Sequence, residues 1–314
     1  MNFAHLKYAV EVEKTGSITQ AAENLYMGQP NLSKAMKELE SAVGITIFRR
    51  TSKGVVPTAR GEVFLNYAKG ILAQIEEMES MYKPEAKNKI SFSMSVPRAS
   101  YITHAFTRFI NGLDKSKEID INFVETNSMK TISNVVQGDC GMGIIRYQSE
   151  YEDYFFNTLA DKRLSCEVVW EFEYLALMSR QHPLALKEHL HYSELAKNIE
   201  LVHGDVTVPY LSVGKTKKRI DEKQIHTKRR IYVYERGSQF DLLTDVAGTY
   251  MWVSPVPQEL LERYGLVQRR CDAAKYKYKD VLIYPEGMKK NQLHEEFLRQ
   301  LEQVRAEVSA VTYQ

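Results

Sequence analysis

Three groups of side chains in this 314-residue sequence could in principle do covalent or metal chemistry. Cys140, Cys166 and Cys271 could oxidise or pair, His189 and His191 could hold a metal, and Gly138, Gly141 and Gly143 could cradle a phosphate. Their spacing supports none of these. The cysteines form no C-x-x-C pair and are too few for a disulfide framework. Small buried thiols are the simpler reading, with a redox pair as the alternative. The histidines lack a thiol or a third ligand at metal spacing, and the glycines match neither G-x-G-x-x-G nor a P-loop. No nucleophile–base motif stands out, so no catalytic residue, metal or cofactor is expected.

Polar recognition has better support. Gln29, Asn31, Ser33, Lys34 and Lys37 share one side of a short segment whose other side is Leu32, Ala35, Met36, Leu39 and Val43. Gln and Asn can read base edges, and Lys can meet phosphate or guanine. Shortly after come Arg49, Arg50 and Lys53, suited to a phosphate backbone or minor groove. Residues 1–60 carry eight basic and five acidic side chains, with the positive charge gathered late. The overall charge of +2 matters less, because a nucleic-acid binder needs only a local basic surface.

The elements that would position these groups are legible. Leu6, Ala9, Val10 and Val12 make an apolar stripe ending near Gly16. Ser17 and Gln20 have capping-box spacing and open a short helix over Ile18–Leu25. After a break at Tyr26, Met27 and Gly28, Pro30 sits in the first turn of the next helix, where it is tolerated. Two short helices joined by a tight turn, the second exposing polar residues at its start, form a helix-turn-helix. Residues 44–58 then read as a two-stranded wing turning near Gly54. Composition alone is also compatible with a small helical domain carrying a solvated charged hairpin.

In order and spacing, Thr15–Leu25, Gln29–Pro30, Leu32–Ser33, Leu39–Glu40, Gly44, Phe48–Arg50 and Pro57–Gly61 resemble the LysR-type transcriptional regulators. The resemblance runs through nearly the whole chain and is strongest here. It implies DNA contacts from Gln29, Pro30, Ser33 and Lys34 on the recognition helix and from Arg49, Arg50 and Lys53 on the wing. Gly28 stands where the family usually has a serine as N-cap. Glycine caps only a few tenths of a kcal/mol less well, but a hydroxyl contact to phosphate is lost.

Between Thr58 and about Lys83 no proline interrupts a helical pattern, and Phe64, Ala68, Ile71, Ile75, Met78 and Tyr82 follow a heptad seam. The same helix of a second subunit is the economical partner for it, and packing on its own domain is the alternative. The resemblance implies the dimer, or a dimer of dimers. Pro84 and the polar residues after it mark a hinge.

Beyond the hinge, strands alternate with helices, as in a parallel α/β fold. Strands are expected over 90–96, 119–125, 141–146, 199–203, 231–234, 250–253 and 277–284, and a final amphipathic helix over 291–306. Gly138–Asp139, His182–Leu184, Val246–Gly248 and Val253–Pro255 agree with weaker family landmarks, although Tyr250 and Trp252 depart from them. The resemblance implies two Rossmann-like halves joined by two crossovers, as in a periplasmic binding protein. The expected division is a winged helix-turn-helix at 1–58, a linker helix and hinge at 59–87, and an effector domain at 88–314. Subdomain I of the latter takes 88–162 and 271–314, and subdomain II takes 163–270.

Ligands bind at the carboxyl ends of strands in such sheets. That points to Arg98 and Ser100 after the first strand, Asn127 and Ser128 after the second, and His203 and Asp205 in the opposite half. Helix N-termini and Arg98 favour an anion, and Asp205 could pair with an ammonium group, so an anionic or zwitterionic effector is expected. Helix capping is the competing role for Ser100 and Ser128. The basic run 215–230 reads as a solvated helix face, with an anionic partner or a subunit contact as its alternatives.

The expected function is a ligand-responsive regulator binding double-stranded promoter DNA, with RNA polymerase as a further candidate partner. The alternatives are an enzyme that processes a small molecule and a binding protein with an α/β cleft. No apolar run approaches the ~20 residues of a membrane span. The N-terminus has acidic residues inside its apolar pattern, unlike a signal peptide, so a cytoplasmic location is expected.

Overall fold

The computed structural model describes residues 2–52, 54–82, 89–204, 229–272 and 277–312. Lys53, the hinge at Pro84, Asp205 and most of the basic run 215–230 lie outside them. The chain divides into two compact units. One comprises Met1–Ile90, Lys117–Ile119 and Val136–Asp139; the other comprises Ser91–Ser116, Asp120–Val135 and Cys140–Gln314.

In the first unit, α1 (Phe3–Thr15), α2 (Ile18–Asn24) and α3 (Gln29–Val43) enclose a core of Leu6, Ala9, Val12, Ala21, Ala22, Leu32, Ala35, Met36, Leu39 and Ile47. The small Ala21 and Ala22 are both buried, which lets α2 sit close to its neighbours. Ser17 caps α2 by accepting from the Gln20 amide at 3.3 Å. The reciprocal half of the expected capping box is not made: Gln20 donates instead to Glu23 and Asn24. The wing is β1 (Phe48–Thr51) against β2 (Gly54–Pro57), pairing Arg49 with Val56 and Arg50 with Val55. It is pinned from two sides. Glu40 of α3 accepts from the Ile47 and Phe48 amides at 2.7 and 3.0 Å, and the Val55 amide donates to the Gly16 carbonyl at 2.8 Å.

The linker helix α4 (Ala59–Tyr82) starts at Thr58, whose hydroxyl accepts from the Gly61 amide at 2.9 Å. At Gly61 any Cβ would lie 2.0 Å from the Ile47 carbonyl oxygen, so the helix can pass this close to the wing only as glycine. Leu65 and Ala68 are buried in the domain's own core, and Phe64, Ile71 and Leu72 pack against it. The first half of the expected seam is thus occupied internally. Ile75 is half-buried and Met78 is exposed.

The second unit holds two sheets. The first is ordered β4 (Glu118–Glu125), β3 (Lys89–Val96), β5 (Met142–Gln148), β13 (Lys277–Pro285), β6 (Leu164–Glu173). Its core joins Phe92, Met94, Tyr101, Phe109, Trp170, Phe172, Leu282 and Phe297, where α5 (Ser100–Asn111) meets the final helix α11 (Gln292–Thr312). The second sheet runs β10 (Arg230–Val233), β9 (Ile199–His203), β11 (Thr249–Val253), β7 (Leu175–Ser179), β12 (Leu266–Cys271), β8 (His189–Leu190). In it β10, β9 and β11 are parallel while β7 runs against β11 and β12.

The expected start of subdomain II at residue 163 does not coincide with the change of sheet. Leu164–Glu173 pairs along its length with β13 in the first sheet, and the chain crosses over at Tyr174. The reason is aromatic burial: Trp170 and Phe172, two residues apart on one strand face, enter the first core, and Trp170 meets Tyr101 edge-on at 5.0 Å. Helix α7 (Glu152–Asp161) and strand β12 also lie in segments where no element is expected from local spacing.

Candidate DNA-binding surface and ligand cleft

On α3 the apolar face is spent on the core, leaving the start of the helix to solvent. Gln29, Pro30, Asn31, Lys34 and Lys37 are exposed and Ser33 is half-buried. Gly28 is the N-cap and offers no side-chain acceptor. On the wing Arg49 and Arg50 are both exposed. Lys34 sits 3.8 Å from Glu38, an exposed i,i+4 pair that water screens and that leaves the ammonium available.

In the second unit a small cleft is lined by residues from both halves. Arg98, Ser100 and Arg146 come from the half built on the first sheet, and Tyr174 from the crossover. His203, Arg236, Gln239, Met251, Trp252, Val253 and Ser254 come from the other half. Three guanidiniums therefore face one small space.

Each guanidinium is held by an identifiable partner. Arg98 follows β3 and donates to the Tyr234 carbonyl at 3.1 Å. Arg146 lies on β5 directly across from Asp280 of β13 and grips its carboxylate through Nε at 2.7 Å and Nη2 at 2.6 Å. Its guanidinium stands 4.8 Å over the Phe172 ring. Burial, the largest single influence, favours the neutral guanidine, but the charge and hydrogen bonds of Asp280 together with the nearby Tyr174 and Tyr101 oxygens outweigh it, and the pKa of Arg146 is raised. Tyr101 donates its hydroxyl to Asp280 at 2.5 Å, and burial and the adjacent carboxylate push its pKa up. Arg236, at the N-cap of α9 (Gly237–Asp245), crosses to the other half. There it donates to Glu125 and Thr103 and, at 3.0 Å, to Ser100.

Of the expected ligand residues, Arg98, Ser100 and His203 line this cavity and Asn127 and Ser128 do not. Asn127 caps α6 (Ser128–Gln137) by accepting from the Lys130 amide at 2.9 Å. Ser128 exchanges hydrogen bonds with the Arg146 main chain, donating to its carbonyl at 2.6 Å and accepting from its amide at 3.0 Å. These are the capping and bracing roles that compete with ligand contact at a helix start. Arg146, Tyr174 and Arg236 join the lining from positions to which strand-end reasoning does not point. A signal existed at Arg146, a charge inside the apolar strand Ile144, Ile145, Tyr147.

The remaining reactive groups are placed unremarkably. Cys140 and Cys271 are buried and Cys166 is half-buried, and burial raises the pKa of Cys166, which disfavours a reactive thiolate. His191 bonds Asp272 at 2.7 Å in solvent. Among the described residues no group of three potential metal ligands occurs, and no helix is long and apolar enough to cross a membrane.

Residues 3–62 match the family model described as the bacterial regulatory helix-turn-helix protein, lysR family. The chain is 27% identical over 198 residues to the HTH-type transcriptional regulator YnfL of Escherichia coli. It is 29% identical over 203 residues to the HTH-type transcriptional regulator YtlI of Bacillus subtilis. The YnfL match covers 62% of each protein, and the YtlI match covers 63% of this chain and 61% of its relative, so the likeness spans under two thirds of their length. Among solved structures, ArgP from Mycobacterium tuberculosis aligns over 97% of each chain with a TM-score of 0.62 at 16% identity. LysG from Corynebacterium glutamicum, solved with bound effector Arg, aligns over 98% of this chain and 99% of its own, with a TM-score of 0.62 at 14% identity. At such identities these structures speak to the fold, and they share the same α/β architecture with its N-terminal helix-turn-helix. Residues 3–62 thus form a helix-turn-helix of the lysR family, and the chain as a whole is similar to HTH-type transcriptional regulators over under two thirds of their length.

Proposed function

We propose that this chain is a ligand-responsive transcriptional regulator that binds promoter DNA through α3 and the wing. The observation that carries this reading is the split of α3: Leu32, Ala35, Met36 and Leu39 are buried while Gln29, Pro30 and Lys34 are presented beside the exposed Arg49 and Arg50. Gln29, Pro30, Ser33 and Lys34 then act in the major groove and Arg49, Arg50 and Lys53 on the backbone. The working division is a DNA-binding domain at 1–58, a linker at 59–87 and an effector domain at 88–314, with the change of subdomain at Tyr174. The protein works in the cytoplasm as a homodimer or dimer of dimers, and RNA polymerase is its further partner.

The effector is a small anionic or zwitterionic metabolite held by Arg98, Ser100, Arg146, His203 and Arg236, with Asp205 as a candidate partner for an ammonium group. LysG with its bound Arg shows an amino acid serving as effector for a protein of this fold. Turnover of a small molecule in the cleft has less support, because the similar proteins are transcriptional regulators.

The test is binding of the full chain to duplexes enriched from a randomised library. Gln29→Ala should lose about 1–3 kcal/mol of discrimination between selected and unselected duplex. Arg50→Ala should weaken both and flatten the dependence on salt. Failure of the wild-type chain to enrich any duplex would overturn the reading.

A further inference from the structure

The connection between α2 and α3 ends helix α2 in a way that its residue types do not favour. Leu25 is the C-cap, the Tyr26 amide donates to the Glu23 carbonyl at 3.0 Å, and the Met27 amide reaches back to the Ala22 carbonyl at 2.9 Å. This pair of bonds is the Schellman motif, whose residue after the cap must be left-handed and is usually glycine. Here that residue is Tyr26, with φ at +52°. Only one other described non-glycine residue, Arg163, has a positive φ.

Among the described residues nothing compensates for this choice. Met27 makes the apolar contact the motif calls for, packing against the core that holds Ala21 and Ala22. Tyr26 is 98% exposed, and no hydrogen bond or ring contact of its side chain is found among the described residues. Glycine would form the same turn without the steric penalty. A bulky aromatic kept in a disfavoured conformation and wholly in water is explained by a contact outside the chain. Its position restricts what that contact is. Tyr26 lies two residues before Gly28, the N-cap of α3, and Gly28 has no hydroxyl to offer. Phenolic hydroxyls are among the groups that bind phosphate oxygens along a duplex.

We propose that Tyr26 is a DNA-backbone contact, its hydroxyl donating to a phosphate flanking the groove that α3 enters. The assignment rests on the regulator reading above. Because the phenol is neutral, it releases no counterion. It therefore adds affinity without adding to the salt dependence and without distinguishing one sequence from another.

The experiment compares the full-length wild type, Tyr26→Gly and Tyr26→Phe by thermal unfolding and by titration with a selected and an unselected duplex across a salt series. Tyr26→Gly should unfold at a higher temperature yet bind both duplexes about three- to tenfold more weakly, with the slope of log K against log salt unchanged. Tyr26→Phe should lose most of the same affinity at wild-type stability. Wild-type affinity in Tyr26→Gly overturns the proposal, as does a loss confined to the selected duplex. Absence of DNA binding by the wild type is a different result, which defeats the regulator reading itself.

Discussion

Arg146 and Asp280 face each other across two antiparallel strands and form a two-point ion pair, with Nε–Oδ1 at 2.7 Å and Nη2–Oδ2 at 2.6 Å, and Arg146 lines the cleft between the two sheets. The carboxylate is fully buried and the Tyr101 hydroxyl adds a third bond to it. Removing one charge from such a pair strands the other, which costs far more than the net worth of the intact pair. Asp280→Asn should therefore destabilise the chain by about 3–5 kcal/mol in denaturant unfolding. Replacing both, as Arg146→Met with Asp280→Leu, should recover much of that loss. If the single substitution is silent, the pair is not the strut described here.

That strut also shows where sequence reading runs out. The helices and wing of the first unit, and the strands over 90–96, 199–203 and 250–253, follow from local apolar spacing, turn residues and caps. Asp280 is 134 residues from Arg146, and only sheet order brings them together. Arg236 reaches Glu125 across a comparable gap, through a crossover that no periodicity encodes. Leu164–Glu173 went to the other sheet for the same reason: its partner is β13, and the burial of Trp170 depends on a core assembled from distant segments. Asn127 and Ser128 stand at a strand end, as binding residues do. Their polar atoms are committed to the α6 amide and to the main chain of Arg146, a commitment visible only in three dimensions.

Arg236 ties the two halves of the cleft through Glu125, Thr103 and Ser100. An anionic ligand entering the cleft must compete with Glu125 for this guanidinium. Glu125→Gln removes the competing charge while keeping an acceptor, so affinity for an anionic effector should rise. The rise should be about fivefold or more if a charge-assisted bond is released. Calorimetric titration with the acid that gives the largest thermal shift in a carboxylate and amino-acid screen measures it. Arg236→Ala should abolish the response. Weaker binding by Glu125→Gln would mean that Glu125 itself contacts the ligand.

The proposed dimerisation through the linker helix would rest on its second half, since Leu65 and Ala68 are already buried in their own domain. Ile75 is half-buried and Met78 is 54% exposed, apolar surface one turn apart that a second copy of the helix could cover. Ile75→Asp would place an unpaired charge in that seam. Sedimentation should then show a smaller species, or a dissociation constant raised at least about tenfold. An unchanged assembly would move the main contacts to the effector domain.

His294 links acid stability to the start of the last helix. It occupies the third position of α11 in a reciprocal cap. Its amide donates to Asn291 Oδ1 at 3.0 Å, and its Nδ1 accepts from the Asn291 amide at 3.3 Å. Burial first, and the nearby Lys290 ammonium second, lower its pKa to about 4. The unfolded chain takes up the proton near pH 6.5, whereas the folded chain resists it down to about pH 4. Between those values the unfolded state binds more protons, so stability falls as pH falls, by about 3 kcal/mol in all. Above pH 6.5 the group contributes no slope. Buried His182 and partly buried His104 also have lowered pKa values, so they add to the loss with the same sign. Glutamine is a favoured residue at this position of a capping box and carries no titrating proton. His294→Gln should keep the cap and flatten the decline in unfolding free energy between pH 6.5 and 4, measured by denaturant titration at closely spaced pH values. An unaltered slope in that variant would place the acid sensitivity elsewhere.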